Sequence, residues 1–123
     1  MVYKHIVMWK FKEQHNGKSA LENARWMKEQ LEGFVGVVPE LLSAEVGISP
    51  ALEQAAAVPS NAAADAAAPA PAASGEYDAC LVSAFASPEA LAAYKVHPKH
   101  KAISAYCKEA RLKRLAFDWW SEE

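Results

Sequence analysis

The chain has 123 residues, 52% of them apolar, and a net charge of −2, values typical of one small domain. A slightly acidic chain lacks the cationic surface that nucleic-acid binding requires, and no apolar run approaches the ~20 residues that span a bilayer. The N-terminus does not resemble a secretion signal, and two cysteines, Cys80 and Cys107, are too few for a disulfide scaffold. We therefore expect a cytoplasmic protein with reduced thiols and with neither nucleic-acid nor membrane partners.

Strict alternation predicts a strand over residues 2–12. One of its faces carries large side chains at every second position: Tyr3, His5, Val7, Trp9 and Phe11. The opposite face carries Val2, Ile6 and Met8 among lysines. Because apolar residues occur on both faces, we expect both faces of this strand to be covered.

A helix is predicted to begin after Ser19, which forms a capping box with Glu22. Apolar residues then recur at helical spacing and form one stripe: Leu21, Ala24, Met27, Leu31 and Phe34. Gly33 and Gly36 end the helix, and Pro39 follows as a stop signal. The stripe predicts which side of the helix packs on the sheet.

Three further strands are predicted over residues 41–48, 77–85 and 112–119. Two helices, each opened by a proline, lie before the last strand: one begins at Pro88 and the other at Pro98. The order β-α-β-β-α-β predicts an α+β fold of the ferredoxin-like type, an antiparallel sheet with helices on one face.

The segment from about residue 49 to residue 75 differs in composition from both of its flanks. It contains half of the chain's 26 alanines, four prolines and no aromatic residue. Such a segment buries too little apolar area to offset the entropy lost on ordering, which indicates an irregular, low-complexity insertion. We interpret residues 1–123 as a single domain that carries this insertion.

Helices cover only one face of such a sheet, yet Ile6 and Met8 place apolar side chains on the other face. A large uncovered apolar patch usually marks an interface. A second copy of the chain, packed sheet against sheet about a two-fold axis, would cover the patch. We expect a homodimer formed through the open sheet face.

Four segments carry a resemblance to a known family. They are the opening Lys4-His5-Ile6-Val7-Met8-Trp9-Lys10-Phe11-Lys12, Val38-Pro39 before the strand ending at Gly47, the run from Tyr77 and Phe85 through Tyr94 to His97-Pro98-Lys99-His100, and Phe117-Asp118-Trp119. In this order and spacing they resemble the stress-responsive A/B barrel (Dabb) domain family, over everything except the insertion. The resemblance implies a dimeric α+β barrel. Most relatives have no assigned reaction, and one branch contains olivetolic acid cyclase, which performs an aldol condensation on a polyketide chain.

The resemblance also implies a cavity between the sheet and the helices. The residues expected to bind a ligand there are His5, Val7, Trp9, Met27, Leu31, Leu81, Tyr94 and His97. Tyr94 and His100 correspond to the catalytic pair of the cyclase, in which the histidine is a general base and the tyrosine hydroxyl stabilises oxyanion charge. The alternatives are structural: His5 as a hydrogen-bonded core residue, and the histidines beside Pro98 as caps of a helix entry.

We expect no cofactor and no metal at this site. His5, His97 and His100 could offer three imidazoles to zinc, but Pro98 separates the last two and no acidic partner is evident. In some plant relatives, main-chain carbonyls after the first helix hold a structural magnesium ion; the corresponding residues are Val35, Val38 and Leu41. The two cysteines are interpreted as small core residues. A basic run is interpreted as a solvated helix end and strand face; it comprises Lys108, Arg111, Lys113 and Arg114.

Three functions from different classes remain open. The one we favour is a homodimer that binds a small apolar or aromatic molecule in the cavity. The second is a cofactor-free enzyme, cyclase-like or similar to small oxygenases, that uses Tyr94 and His100 for proton transfer. The third is a stress-associated structural dimer with no ligand.

Overall fold

A computed structural model of the protein describes residues 1–57 and 76–122. The main sheet has four strands: β1 (Val2–Phe11), β4 (Ser43–Ile48), β5 (Ala79–Phe85) and β6 (Arg111–Ser121). A small ribbon is formed by β2 (Gln14–His15) and β3 (Lys18–Ser19). The helices are α1 (Ala20–Glu32), α2 (Pro50–Ala57), α3 (Pro88–Lys95) and α4 (Pro98–Ala110).

The main sheet has the strand order β4-β5-β1-β6, and every neighbouring pair is antiparallel. With the ribbon and α2 set aside, this is the predicted ferredoxin-like α+β arrangement, which is confirmed. No helix within the described ranges is both long and apolar enough to span a membrane.

Helix α1 begins and packs as the sequence predicts. The Ser19 hydroxyl accepts the amide of Glu22 at 3.1 Å, and the Glu22 carboxylate accepts the amide of Ser19 at 3.0 Å. The apolar stripe then faces the sheet, with Leu21, Ala24 and Leu31 all buried. The capping box thus fixes where the helix starts, and the stripe fixes which side lies over the strands.

Helix α2 occupies the first part of the segment for which composition predicted irregular chain. Ser49 organises its start, because its hydroxyl accepts the amide of Ala51 at 3.2 Å and its carbonyl accepts the amide of Leu52 at 3.0 Å. Pro50 takes the first helical position, where its missing amide hydrogen costs nothing. Leu52 also packs against the core, so a single leucine anchors this alanine-rich helix. The rest of the predicted insertion lies outside the described residues.

The two faces of the main sheet are buried to different degrees. On the helix-covered face, Val7, Trp9 and Phe11 belong to the core and are at most 5% exposed. On the opposite face, Ile6 and Met8 of β1 are only half-buried. Their cross-strand neighbours continue an apolar patch with them, which we call the open face: Ile6, Met8, Val82, Leu115 and Phe117. We expected both faces of β1 to be covered. Within a single chain, the helices cover one face, and the open face stays partly exposed.

Candidate functional site

A cavity of about 280 Å³ lies between the helix-covered face of the sheet and helices α1, α3 and α4. Seven of the eight residues predicted to bind a ligand line it: His5, Val7, Trp9, Met27, Leu31, Leu81 and Tyr94. His100, the other half of the predicted catalytic pair, lines it as well. The strand and helix patterns thus bring almost the whole predicted set together around one space.

His97, the eighth residue, is not among the residues that line the cavity. It is the N-cap of α4, and its Nδ1 accepts the backbone amide of Lys99 at 3.1 Å. Pro98 follows at the first helical position, so the side chain of His97 is held at the helix entry. The structure therefore gives His97 the capping role that was the alternative to ligand binding.

His5 is paired with a carboxylate across the sheet. It lies opposite Asp118 in the β1–β6 register, and its Nδ1 is 2.5 Å from an Asp118 carboxylate oxygen. Because an ionised carboxylate only accepts hydrogen bonds, we assign the proton to Nδ1, which leaves the Nε2 lone pair free. Burial lowers the pKa of His5 and outweighs the hydrogen bond and negative charge of Asp118, which act in the opposite direction. His5 is thus a neutral imidazole at neutral pH, oriented by Asp118.

His100 has the same tautomer for a related reason. Its Nδ1 lies 3.2 Å from the main-chain carbonyl of Lys95, which can only accept, so Nδ1 donates and Nε2 is the basic atom. Burial is the main reason that the pKa of His100 is lowered, and the charges on Lys95 and Arg114 act in the same direction. The ring centroids of His100 and Tyr94 are 4.5 Å apart. Burial raises the pKa of Tyr94 to about 12, so its hydroxyl remains a hydrogen-bond donor.

Six further lining residues were not predicted: Lys95, Ile103, Ser104, Cys107, Arg111 and Arg114. Arg114 is exposed and Arg111 is half-buried, in keeping with a solvated helix end and strand face, but both side chains also border the cavity, which the sequence did not predict. Arg114 lies opposite Trp9 in the register, and Arg111 lies opposite Phe11. Lys113, between them, pairs with Glu76 instead. From the sequence, alternation along β6 predicts that Arg114 and Asp118 lie on the same face of the sheet. It does not predict which β1 residue lies opposite each of them.

Cys107 is buried, as expected of a core residue, and it also borders the cavity. Burial raises the pKa of its thiol to about 11, against the opposing charges of Arg111 and Arg114. A thiol that stays protonated at neutral pH is a poor nucleophile. Cys107 therefore contributes apolar surface to the cavity.

Metal binding was considered at two places. Within the part of the chain that the structure describes, no group of three or more His, Cys, Asp or Glu side chains is arranged to hold one ion. The carbonyl oxygens of Val35, Val38 and Leu41 are donors that Mg²⁺ accepts together with water. None of these three residues lines the cavity. An ion held there would brace the turn after α1 and take no part in chemistry at the cavity.

Comparison with solved structures finds the same fold in proteins of low sequence identity. A dimeric ferredoxin-like protein of unknown function from Bacteroides fragilis aligns with a TM-score of 0.70 at 21% identity, covering 98% of this chain and 96% of its own. A hydroxynitrile lyase from Passiflora edulis aligns with a TM-score of 0.67 at 16% identity, covering 99% and 95%. The cofactor-independent oxygenase SnoaB from Streptomyces nogalater aligns with a TM-score of 0.63 at 4% identity, covering 99% and 94%. At these identities the likeness concerns the fold alone.

Comparison with curated protein sequences finds no match. The family model for the stress responsive A/B barrel domain matches residues 51–121, which is more than half of the chain. The match includes the predicted Tyr94–His100 run and the Phe117-Asp118-Trp119 segment, whereas the opening strand that also carried the resemblance lies outside it. The recognition made from the sequence is confirmed: the chain belongs to the stress-responsive A/B barrel domain family.

Proposed function

We propose that the protein is a homodimer in which each subunit binds a small, largely aromatic or apolar molecule in the cavity between sheet and helices. The observation that carries this proposal is the convergence of His5, Trp9, Leu31 and Tyr94 on one space of about 280 Å³. In a close-packed protein core, side chains would ordinarily fill a space of this volume. Pockets that hold small molecules begin near 300 Å³, so the cavity suits a ligand of about one ring with a short substituent.

The dimer is supported by the open face. Phe117 and Leu115 are at least half exposed on this face, and Val82 is 37% exposed. A contiguous apolar patch in the middle of a sheet is typical of an interface. Packing about a two-fold axis would set each patch against its own copy and leave the cavity, on the other face, accessible. Solved neighbours such as the Bacteroides fragilis protein are described as dimeric.

Ligand binding can be tested by closing the mouth of the cavity. Ser104 is exposed on α4 and borders the cavity, whereas its neighbour Ala105 is exposed on the same helix and does not. We expect Ser104→Trp to abolish saturable binding of small aromatic acids and phenols, observed by ligand-detected NMR, because the indole occupies the entrance. The matched Ala105→Trp variant should bind as the wild-type protein does.

The two tryptophan variants also discriminate against the structural alternative. Both substitutions are at exposed positions, so neither should prevent folding. If no compound of the panel binds the wild-type protein, or if the two variants bind equally, the cavity is not a ligand site. A structural dimer without a ligand would then be the better description.

A second candidate, a cofactor-free enzyme, is favoured by the state of the two cavity histidines. His5 and His100 both keep an unprotonated Nε2 at neutral pH, and the ring of Tyr94, whose hydroxyl stays protonated, packs against the ring of His100. Removal of a proton alpha to a carbonyl requires a general base and a hydrogen-bond donor that stabilises the negative charge developing on the carbonyl oxygen. Neighbours of the same fold include a hydroxynitrile lyase and a cofactor-independent oxygenase.

Proton abstraction can be measured without knowing the reaction. A bound carbonyl compound with an acidic C–H, such as an aryl β-keto acid ester, should exchange that hydrogen for deuterium faster in D₂O when the protein is present. We expect His100→Gln to slow the exchange by roughly 10²-fold or more, the usual contribution of a general base. His97→Gln, outside the cavity, is the matched control. Exchange that is equally fast in His100→Gln would exclude His100 as the base.

A further inference from the structure

The cavity has a pronounced asymmetry of charge. Three cationic side chains border it, and each comes from a different place in the fold: Lys95 from the end of α3, Arg111 from the C-cap of α4, and Arg114 from β6. No aspartate or glutamate is among the lining residues that the structure describes. The carboxylate of Asp118, next to the lining residue His5, accepts a hydrogen bond from the Nδ1 of that histidine. The entrance is therefore bordered by charge of one sign.

None of these three cations forms an ion pair or a side-chain hydrogen bond within residues 1–57 and 76–122. Some lysines elsewhere in the chain are matched with carboxylates: Lys10 with Asp78 at 3.1 Å and Lys28 with Glu32 at 2.7 Å. Cations of like charge around one opening repel each other, and an anion bound among them would remove that cost. Three cations border one cavity whose described lining holds no carboxylate, which indicates that their counter-charge comes from outside the chain.

The field of these cations reaches into the cavity. The charges of Lys95 and Arg114 both lower the pKa of His5 and of His100. The same burial and charge keep the two imidazoles neutral, so they do not add further cations. A negatively charged group that entered would meet three positive side chains, two neutral imidazoles and the hydroxyl of Tyr94.

We infer that the ligand is a small aromatic carboxylic acid, whose carboxylate is bound by Arg111, Arg114 and Lys95 and whose ring lies against Trp9 and Leu31. This inference rests on the proposed function and names its ligand class. Arg114 lies opposite Trp9 in the sheet register, which sets a cation beside the largest apolar surface of the cavity. A guanidinium offers two parallel N–H donors that match the two oxygens of a carboxylate. An amide of the same shape would fill the cavity equally well but would leave the cations without an anion.

The test compares 4-propylbenzoate with 4-propylbenzamide, which differ in charge and hardly in shape. Titration of the full chain by isothermal calorimetry gives the dissociation constant of each compound. We expect the acid to bind about tenfold more tightly than the amide, the advantage of a charge-assisted hydrogen bond over a neutral one. The advantage should shrink as salt is raised, because Lys95 and Arg114 are exposed.

Arg111→Gln and Arg114→Gln should each reduce the preference for the acid and leave the affinity for the amide within about twofold, since the apolar walls are unchanged. Lys108→Gln removes the same charge from an exposed site on α4 that does not border the cavity, and it should keep the preference. Equal binding of acid and amide by the wild-type protein would overturn the anion site while leaving the ligand cavity standing. An equal loss of preference in Lys108→Gln would also overturn it, since net charge would then explain the selectivity. Failure of both compounds to bind the wild-type protein would overturn the anion site and the ligand cavity together.

Discussion

The two faces of the main sheet are made by alternate residues of the same strands, yet they have opposite chemistry. On β6, Asp118 extends to the helix-covered face and holds His5, whereas its neighbour Phe117 lies on the open face and is 63% exposed. On β1, Val7 is buried under the helices, whereas Ile6 is half-buried. The helix-covered face encloses a cavity that polar groups border, and the open face carries an exposed apolar patch. One alternating pattern therefore encodes both the lining of a cavity and an exposed apolar patch.

The two faces differ in the interaction that would stabilise each of them: hydrogen bonds on the helix-covered face and burial of apolar side chains on the open face. A polar group on the helix-covered face needs a hydrogen-bond partner, because an unpaired buried group costs about 1–3 kcal/mol. Among the described residues, no buried side-chain nitrogen or oxygen lacks a partner. Complete burial of an exposed large apolar side chain stabilises by roughly 1.5–3 kcal/mol, so each half-exposed side chain of the open face would gain about half of that, and a two-fold dimer would count the gain twice. Breaking the dimer and perturbing the cavity should therefore be separable.

The largest expected effect comes from placing a charge on the open face. We predict that Phe117→Glu weakens dimerisation by about 100-fold or more, because each interface would bury two unpaired carboxylates. Analytical ultracentrifugation at micromolar concentration should find the wild-type protein dimeric and the variant monomeric. The cavity lies on the other face, so the monomer should keep its fold.

Val96→Glu is the matched control for that substitution. Val96 is 64% exposed, almost the same as Phe117, but it follows α3 and lies away from the open face. The control should remain dimeric. A wild-type protein that sediments as a monomer, or a Phe117→Glu variant that stays dimeric, would remove the open face as the interface.

The fold could be predicted almost completely from the sequence, because each element carries its own local signal. The alternation of β1, the Ser19–Glu22 capping box and the prolines at the starts of α3 and α4 all act within a few residues along the chain. The β2–β3 ribbon and helix α2 are the exceptions, because neither was predicted. The stability of α2 depends on Leu52 reaching the core, a tertiary contact that composition does not reveal.

The cavity could be predicted only in part, for a related reason. The apolar lining follows from knowing which face of β1 and α1 is inward, and alternation supplies that. The pairing of His5 with Asp118, and the position of Arg114 opposite Trp9, depend on the register between β1 and β6. Register is set by pairing between distant segments, and a bulge near Lys10 and Phe11 shifts it further. The polar groups of the site were therefore harder to find than its walls.

A smaller effect, the pH dependence of the free energy of unfolding, should arise from the two histidines on the helix-covered face. Because burial lowers the pKa of His5 and His100 in the folded state, the unfolded chain takes up more protons below about pH 6.5. The free energy of unfolding should therefore fall between pH 7.5 and pH 5.5, by at most ~1.4 kcal/mol per pH unit for each histidine. Urea unfolding at one fixed protein concentration measures this. Nearby charges act on these two pKa values in both directions. Asp118 favours the protonated form of His5, whereas Lys95 and Arg114 disfavour protonation of both rings.

Substitution of the individual histidines assigns that pH dependence to the cavity. His100→Gln should remove part of the loss of stability, because the variant no longer has a buried imidazole to protonate at that position. His97→Asn keeps a capping side chain at the start of α4 and leaves the cavity intact, so it should follow the wild-type profile. The carboxylates whose pKa the fold lowers, Glu22, Glu32 and Glu76, take up protons at a lower pH and do not affect this window. If the His97 variant changed the profile and the His100 variant did not, the protons would be entering at the helix cap, and the helix-covered face would have no part in the pH response.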